Sequence, residues 1–137
     1  MHYTLRFANR EEYDSKVEGI TVGVALSWVR KEPVRLVAKI DTGASDCLFQ
    51  RRFADALELD LEGGQGRWFS TVAGRFETFG HEVTIRVLDT EVISLVYFFA
   101  DYSIKRNVLG RRGWLDRVRI AIVDYDSMLY LSPHDQA

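Results

Sequence analysis

The sequence predicts an all-β domain, and three observations predict it. Runs rich in β-branched and aromatic residues recur along the chain, turn-forming residues separate them at short intervals, and apolar side chains in several runs fall on alternate positions. A period of two places one face of a strand against a core, so the pattern is that of a sandwich or barrel. At 137 residues, the chain has the size of one domain, so a single unit over 1–137 is expected, with its core at about residues 17–131.

The elements follow in order. Residues 2–8 alternate Tyr3, Leu5 and Phe7 with polar neighbours and are expected as a first strand. Residues 10–16 are charged and read as a loop or one helical turn. A strand is expected over 19–29, a break at Lys31-Glu32-Pro33, and a third strand over 34–40 that leads straight into Asp41-Thr42-Gly43-Ala44-Ser45. Phe53, Ala54 and Leu57 stand at helical spacing with charges opposite, which predicts a short helix over 50–57. Gly63-Gly64-Gln65-Gly66 reads as a linker.

Two strands then follow, 67–72 and 75–88, joined at Ala73-Gly74 as a hairpin. In the second arm His81, Val83, Ile85 and Val87 share one face and Glu82, Thr84 and Arg86 the other, with a bulge expected at Gly80. Residues 91–100 are almost continuously apolar and are expected as a central strand buried on both faces. After Asn107-Val108-Leu109-Gly110 comes a short helical candidate over 111–117, then a strand over 118–123, a turn over 124–127 and a last strand over 128–131.

Composition narrows the function. With 47% hydrophobic and 28% charged residues the chain has the make-up of a packed globular protein. Its 18 basic and 20 acidic residues are interleaved and leave a formal net charge of -2, which gives no concentrated positive field for nucleic acid. The basic pairs Arg51-Arg52, Lys105-Arg106 and Arg111-Arg112 lie far apart and read as solvated faces or local anchors. Cys47 is alone, so no internal disulfide forms and a reducing compartment fits. The charged N-terminal stretch reads neither as a secretory signal nor as a membrane anchor, and residues 92–100 are too few to span a bilayer. A soluble, cytoplasmic protein is expected. His2, His81, His134 and Cys47 form no ligand-spaced pair, so neither metal nor cofactor is expected.

The chemistry concentrates in Leu36-Val37-Ala38-Lys39-Ile40-Asp41-Thr42-Gly43-Ala44-Ser45, an apolar strand that delivers a carboxylate onto a tight loop of small residues. Asp41 supplies a group that can activate water, and the Thr42 hydroxyl can lock the loop by bonding to main chain. Gly43 lets backbone N–H groups approach the carboxylate with no Cβ in the way. Ala44 and Ser45 keep the surroundings open for a substrate.

Here the sequence resembles the retropepsin-like aspartic peptidases, single-lobed relatives of pepsin. Three blocks carry the resemblance in order: Asp41-Thr42-Gly43-Ala44-Ser45 resembles the catalytic loop, Ser70-Thr71-Val72-Ala73-Gly74-Arg75-Phe76 the flap hairpin, and Asn107-Val108-Leu109-Gly110-Arg111 the apolar-apolar-Gly block that packs behind the loop. The resemblance implies a closed β-barrel protomer with one or two short helices. It implies Asp41, Thr42 and Gly43 as the catalytic residues, Ala44, Ser45, Asp46, Thr71, Val72, Ala73 and Gly74 as substrate-binding, and Leu109, Gly110 and Arg111 as support of the site. Ser45 stands where many viral relatives carry a second acidic residue, so no ion pair from that position to Arg111 is expected.

Hydrolysis by this chemistry needs two carboxylates sharing a proton, and the chain has one such loop. A homodimer with a two-fold axis supplies the second Asp41. The expected function is therefore an aspartic endopeptidase acting on polypeptide as a homodimer. The rival is a catalytically inactive retropepsin-fold dimer that binds peptides or proteins; a purely structural module leaves the loop unexplained.

Other chemistries fit less well. A haloacid-type loop needs an acid where Gly43 stands, and a Gly-x-Ser-x-Gly elbow needs a glycine where Cys47 stands. Residues 63–66 lack the Lys-Ser/Thr of a phosphate loop. Cys47 reads as a core residue, His81 as a satisfied, partly buried histidine, and Trp28, Trp68 and Trp114 as core or interface aromatics, with Trp68 and Phe69 near enough to the flap to be substrate candidates.

Overall fold

The structure, a computed structural model, describes residues 1–29 and 32–135, so the share of the expected break that falls on Lys31 lies outside the described residues. The strands are β1 (Asn9–Glu12), β2 (Thr21–Ser27), β3 (Val34–Ile40), β4 (Leu48–Phe49), β5 (Gln65–Thr71), β6 (Gly74–Val87), β7 (Thr90–Phe99), β8 (Val108–Leu109), β9 (Val118–Val123) and β10 (Met128–Pro133), with one helix, α1 (Arg51–Ala56). The all-β class read from the sequence is therefore correct.

β2 pairs with both β3 and β6, so the order β2-β3-β8-β4-β7-β6 returns on itself as a hydrogen-bonded ring, with β5 added outside β6. β6 does two jobs along its length. Its first half pairs with β5 as a hairpin from Thr71↔Gly74 to Gln65↔Gly80, and its last residues, through Ala25↔Arg86 to Ser27↔Thr84, close the ring on β2. A separate three-stranded sheet, β1-β10-β9, draws on both ends of the chain.

The sequence explains most of these elements locally. In β3, Leu36, Ala38 and Ile40 turn inward while Arg35, Val37 and Lys39 turn out, and in β6 Val83, Ile85 and Val87 are buried as the alternation predicts. Phe53, Ala54 and Leu57 bury one side of α1 and its C-cap, and Arg51 bonds to the Ala100 carbonyl at 3.0 Å and to Glu62 at 2.8 Å on the other. Gln50 provides no side-chain cap, so this six-residue helix depends on its packing. Fully buried Leu26, Phe49, Ile85, Phe98, Leu109 and Trp114 form the centre of the core, together with Leu129 and Leu131 from β10. Burial of one such side chain stabilises by roughly 1.5–3 kcal/mol.

Five expectations are corrected. Residues 2–8 form no strand; the charged segment Asn9–Glu12 pairs with β10 instead, and Tyr3 and Leu5 stay exposed because β10 offers its edge to the later residues. Gly80 sits in unbroken register between Gln65 and Tyr97 with no bulge, and a Cβ there would meet the Tyr97 ring at 2.9 Å. β7 is buried on both faces only from Val96 to Phe99; Glu91, Ile93 and Leu95 point outward. Residues 111–117 are not an α-helix, since Gly113 at φ 103° interrupts them and leaves one 3-10 turn at Leu115–Arg117. Gln65 and Gly66 belong to β5 rather than to a linker, after a 3-10 turn at Leu61–Gly63. Among the described residues no helix is long and apolar enough to cross a membrane.

Candidate active site

Asp41 follows β3 directly, and main-chain bonds fix where it emerges. Lys39 N–H donates to the Asn107 carbonyl at 2.9 Å, Ile40 N–H to Ile20 at 2.8 Å, and Asp41 N–H to Leu109 at 3.0 Å. The loop then folds onto its own carboxylate: Gly43 N–H donates to Asp41 Oδ1 at 2.9 Å, and Ala44 N–H donates to the Asp41 carbonyl at 3.1 Å. Asp41 is half-buried, and Thr42, Gly43 and Ser45 are exposed.

Leu109, Gly110 and Arg111 lie behind this loop. Arg111 N–H bonds to the Ala44 carbonyl and Arg112 N–H to the Ser45 carbonyl, each at 2.9 Å. The approach is so close that a Cβ on Gly110 would lie 2.1 Å from the Asp46 carbonyl oxygen, which explains the glycine physically.

Asp46, 5% exposed, is engaged by three donors: Ser45 Oγ at 2.8 Å, Arg67 at 3.3 Å from β5, and Arg112 at 3.2 Å. An acid-arginine pair is thus present, one residue beyond Ser45 and one beyond Arg111. It ties the base of the hairpin to the loop, while the Arg67 guanidinium also lies 4.5 Å from the Phe69 ring centre and 5.2 Å from that of Tyr97. The Asp46 carboxylate is engaged inward. The Asp41 side chain accepts only the Gly43 N–H among the described residues, and so keeps acceptor capacity for a water or substrate.

Asp41 opens on a cleft of about 240 Å³, bounded by Gly43, Ala44, Ser45 and Asp46 on the loop, Leu48, then Phe69, Ser70 and Thr71 on β5, and Arg106 before β8. The structure therefore brings Asp41, Gly43, Ala44, Ser45, Asp46 and Thr71 to one cavity; Thr42 is exposed on the same loop, and Val72, Ala73 and Gly74 do not line it. The hairpin turn is Val72-Ala73, one residue earlier than expected, because Thr71 pairs with Gly74. Ala73 N–H donates to Thr71 Oγ1 at 3.1 Å, that hydroxyl donates to the Gly74 carbonyl at 3.3 Å, and Gly74 takes φ 128°. The side-chain bonds at this tip are local, within residues 71–74.

Of the two aromatic candidates, Phe69 lines the cleft, edge-on to Tyr97 at 5.3 Å between ring centres. Trp68 faces a different groove with Arg75, Phe76 and Ile104. Cys47 is fully buried, donates to the Arg112 carbonyl at 3.7 Å, and has its thiol pushed up to about 12 by burial, which suits a core residue and not a nucleophile. The ring Nε2 of His81 is bonded to the Leu61 carbonyl at 2.9 Å, as a satisfied histidine. Among the described residues no three His, Cys, Asp or Glu side chains gather as a metal site.

Sequence reasoning missed Arg67, Tyr97 and the inward role of Asp46, none of which carries a local signal: the pairing depends on β5 crossing beside the loop. Arg106 was visible only as half of a basic pair.

Comparison with known proteins adds three findings. Residues 28–113 match the family model described as aspartyl protease. No protein of curated function matches the chain. Among solved structures, a retropepsin-like aspartic protease from Rickettsia conorii is similar with TM-score 0.61 and 16% identity over 90% of this chain and 97% of that one. The EIAV protease complexed with the inhibitor HBY-793 is similar with TM-score 0.54 and 22% identity over 80% of this chain and 88% of that one. These likenesses establish the retropepsin fold.

Proposed function

We propose, since this chain belongs to the aspartyl protease family, that it is an endopeptidase whose active form is a homodimer with one Asp41 from each copy at the two-fold axis. The observation that carries the reading is the loop itself: a carboxylate held at its root by main chain, open to a cleft, with its neighbouring acid Asp46 already paired with Arg67 and Arg112. One such loop per chain supports a dimer. So does the exposed Thr42 hydroxyl, which makes no hydrogen bond among the described residues and is left over for a partner across the proposed axis.

In this mechanism the Asp41 pair holds one proton. The ionised carboxylate takes a proton from water as its oxygen attacks the substrate carbonyl carbon, while the protonated carboxyl gives its proton to the carbonyl oxygen. A tetrahedral diol forms. The carboxyl that took the water proton then gives a proton to the amide nitrogen while the other carboxylate takes one from a diol hydroxyl, so the C–N bond breaks, a carboxylic acid and an amine are released, and the pair again holds one proton. An extended substrate segment binds between the two loops under both hairpins, its main chain supplying affinity and its alternate side chains selectivity.

The test is cleavage of a mixed peptide library by wild type and Asp41→Asn from acid to neutral pH, with sedimentation equilibrium on both. The expected result is a dimer in each case and cleavage by wild type alone. Equal cleavage by the two proteins removes Asp41 as the catalyst, and a folded wild-type dimer that binds peptides but cleaves none supports the inactive peptide-binding reading.

A further inference from the structure

The proposed reaction leaves one charged feature of the cleft unused. Arg106 lines the Asp41 cleft and also a neighbouring one of about 420 Å³, so it stands where the two meet. It is exposed and, among the described residues, has no ion pair. Lys39 and Lys105, also exposed, line the second cleft, where Glu18 is the one acid among the described residues. The polar side chain of Asn107 there is already used within the chain: its Oδ1 accepts from Gln50 N–H at 3.0 Å, and its Nδ2 donates to the Val37 carbonyl at 3.2 Å.

Arg67 and Arg112, which do not line the Asp41 cleft, are matched by the buried Asp46, whereas Arg106, which does line it, has no such partner among the described residues. Three cations against one acid also stand out in a chain whose net charge is -2, so this lining does not follow from a generally basic composition.

We propose that the cleft selects polypeptides carrying an acidic side chain beside the scissile bond, with Arg106 as its partner, and that acidic residues further along the same segment run past Lys105 and Lys39. The inference rests on the peptidase reading and deepens it by naming the substrate class. A guanidinium offers a carboxylate two parallel N–H donors, which gives direction as well as charge. In an extended segment, side chains on one face recur every ~7 Å, so a second acid two residues on reaches the next part of the basic cleft. The contact is open to solvent and weakens with salt.

The experiment uses matched peptides that differ only by Glu or Gln at each position flanking the cleaved bond, with wild type, Arg106→Met, Arg106→Lys and Arg106→Glu, each checked for fold and dimer. Wild type is expected to favour the best-placed Glu peptide by about tenfold in kcat/KM. The preference should fall toward one in Arg106→Met, persist in part in Arg106→Lys, and turn toward Lys-containing peptides in Arg106→Glu. No Glu preference in wild type, or the same preference in Arg106→Met, overturns the inference. Peptide binding by Asp41→Asn with and without Arg106→Met separates this from failure of the peptidase reading. If wild type cleaves nothing, tighter binding of Glu peptides that depends on Arg106 keeps the charge selection standing, and equal or absent binding ends it.

Discussion

Gly110→Ala tests the architecture of the site without presupposing its chemistry. The added Cβ would lie 2.1 Å from the Asp46 carbonyl oxygen, 2.7 Å from the Asp46 carbonyl carbon and 2.9 Å from the Ala44 carbonyl oxygen. All three are main-chain atoms, so no side-chain rotation relieves the overlap. A tolerable carbon–oxygen approach is about 3.3 Å, so the two segments must separate by about 1 Å. That displacement stretches the Arg111 N–H to Ala44 and Arg112 N–H to Ser45 bonds, now 2.9 Å each, beyond hydrogen-bonding range. Two lost bonds and the overpacking together cost about 2–6 kcal/mol. With a urea slope of about 2 kcal/mol/M, the unfolding midpoint should fall by about 1–3 M at fixed protein concentration. Gly23→Ala is the control, because its Cβ meets nothing within 4 Å. If Gly110→Ala unfolds at the wild-type midpoint, the loop is not held by close main-chain approach.

Three further outcomes follow from buried and paired groups. A thiol reagent at about pH 8 should leave Cys47 unlabelled until denaturant is added, because the thiol is pushed up to about 12 and leaves almost no thiolate; rapid labelling of folded protein would contradict its burial. Tyr13 donates its hydroxyl to Asp124, and that bond raises its ionisation from 10.0 to about 12. The stability it adds is fully present below pH 10.0 and is lost as pH rises toward about 12, so Tyr13→Phe should flatten the alkaline decline in wild-type stability, and an unchanged decline rejects the assignment. Asp46→Asn should lower the urea midpoint, and combining it with Arg112→Met should cost less than the separate effects added together; strict additivity would show that the pair does not couple.

What the sequence made legible depended on how local the determining physics was. The alternation of Leu36, Ala38 and Ile40, the spacing of Phe53, Ala54 and Leu57, and the small residues after Asp41 are patterns within one segment, and each gave its element. The first strand was misplaced because an edge chooses its partner by position: β10 pairs with Asn9–Glu12, a polar stretch no propensity favours, and leaves Tyr3 and Leu5 outside. Residues 111–117 misled because the helical candidate was carried across Gly113, whose φ of 103° is a backbone fact with no pattern of its own. The resemblance pointed to Asp46 as substrate-binding, and it does line the cleft, but its engagement by Arg67 and Arg112 carries no local signal, because it requires knowing that β5 passes beside the loop.

The division between main-chain and side-chain work at the site also bears on how such a loop persists while sequence drifts. The bonds that hold it, Asp41 N–H to Leu109, Arg111 N–H to Ala44 and Arg112 N–H to Ser45, use backbone groups that every non-proline residue supplies. The side-chain demands are few: a carboxylate at Asp41 and no Cβ at Gly110. The acid-arginine brace can sit at Asp46 and Arg112, since either end needs only to reach the other across the same pair of main-chain bonds. Residues that line the cleft without holding it, such as Arg106 and Phe69, are correspondingly free to set selectivity, because changing them leaves every one of those bonds in place. Under the proposed reading, selectivity can then change at Arg106 while the geometry of Asp41 stays fixed.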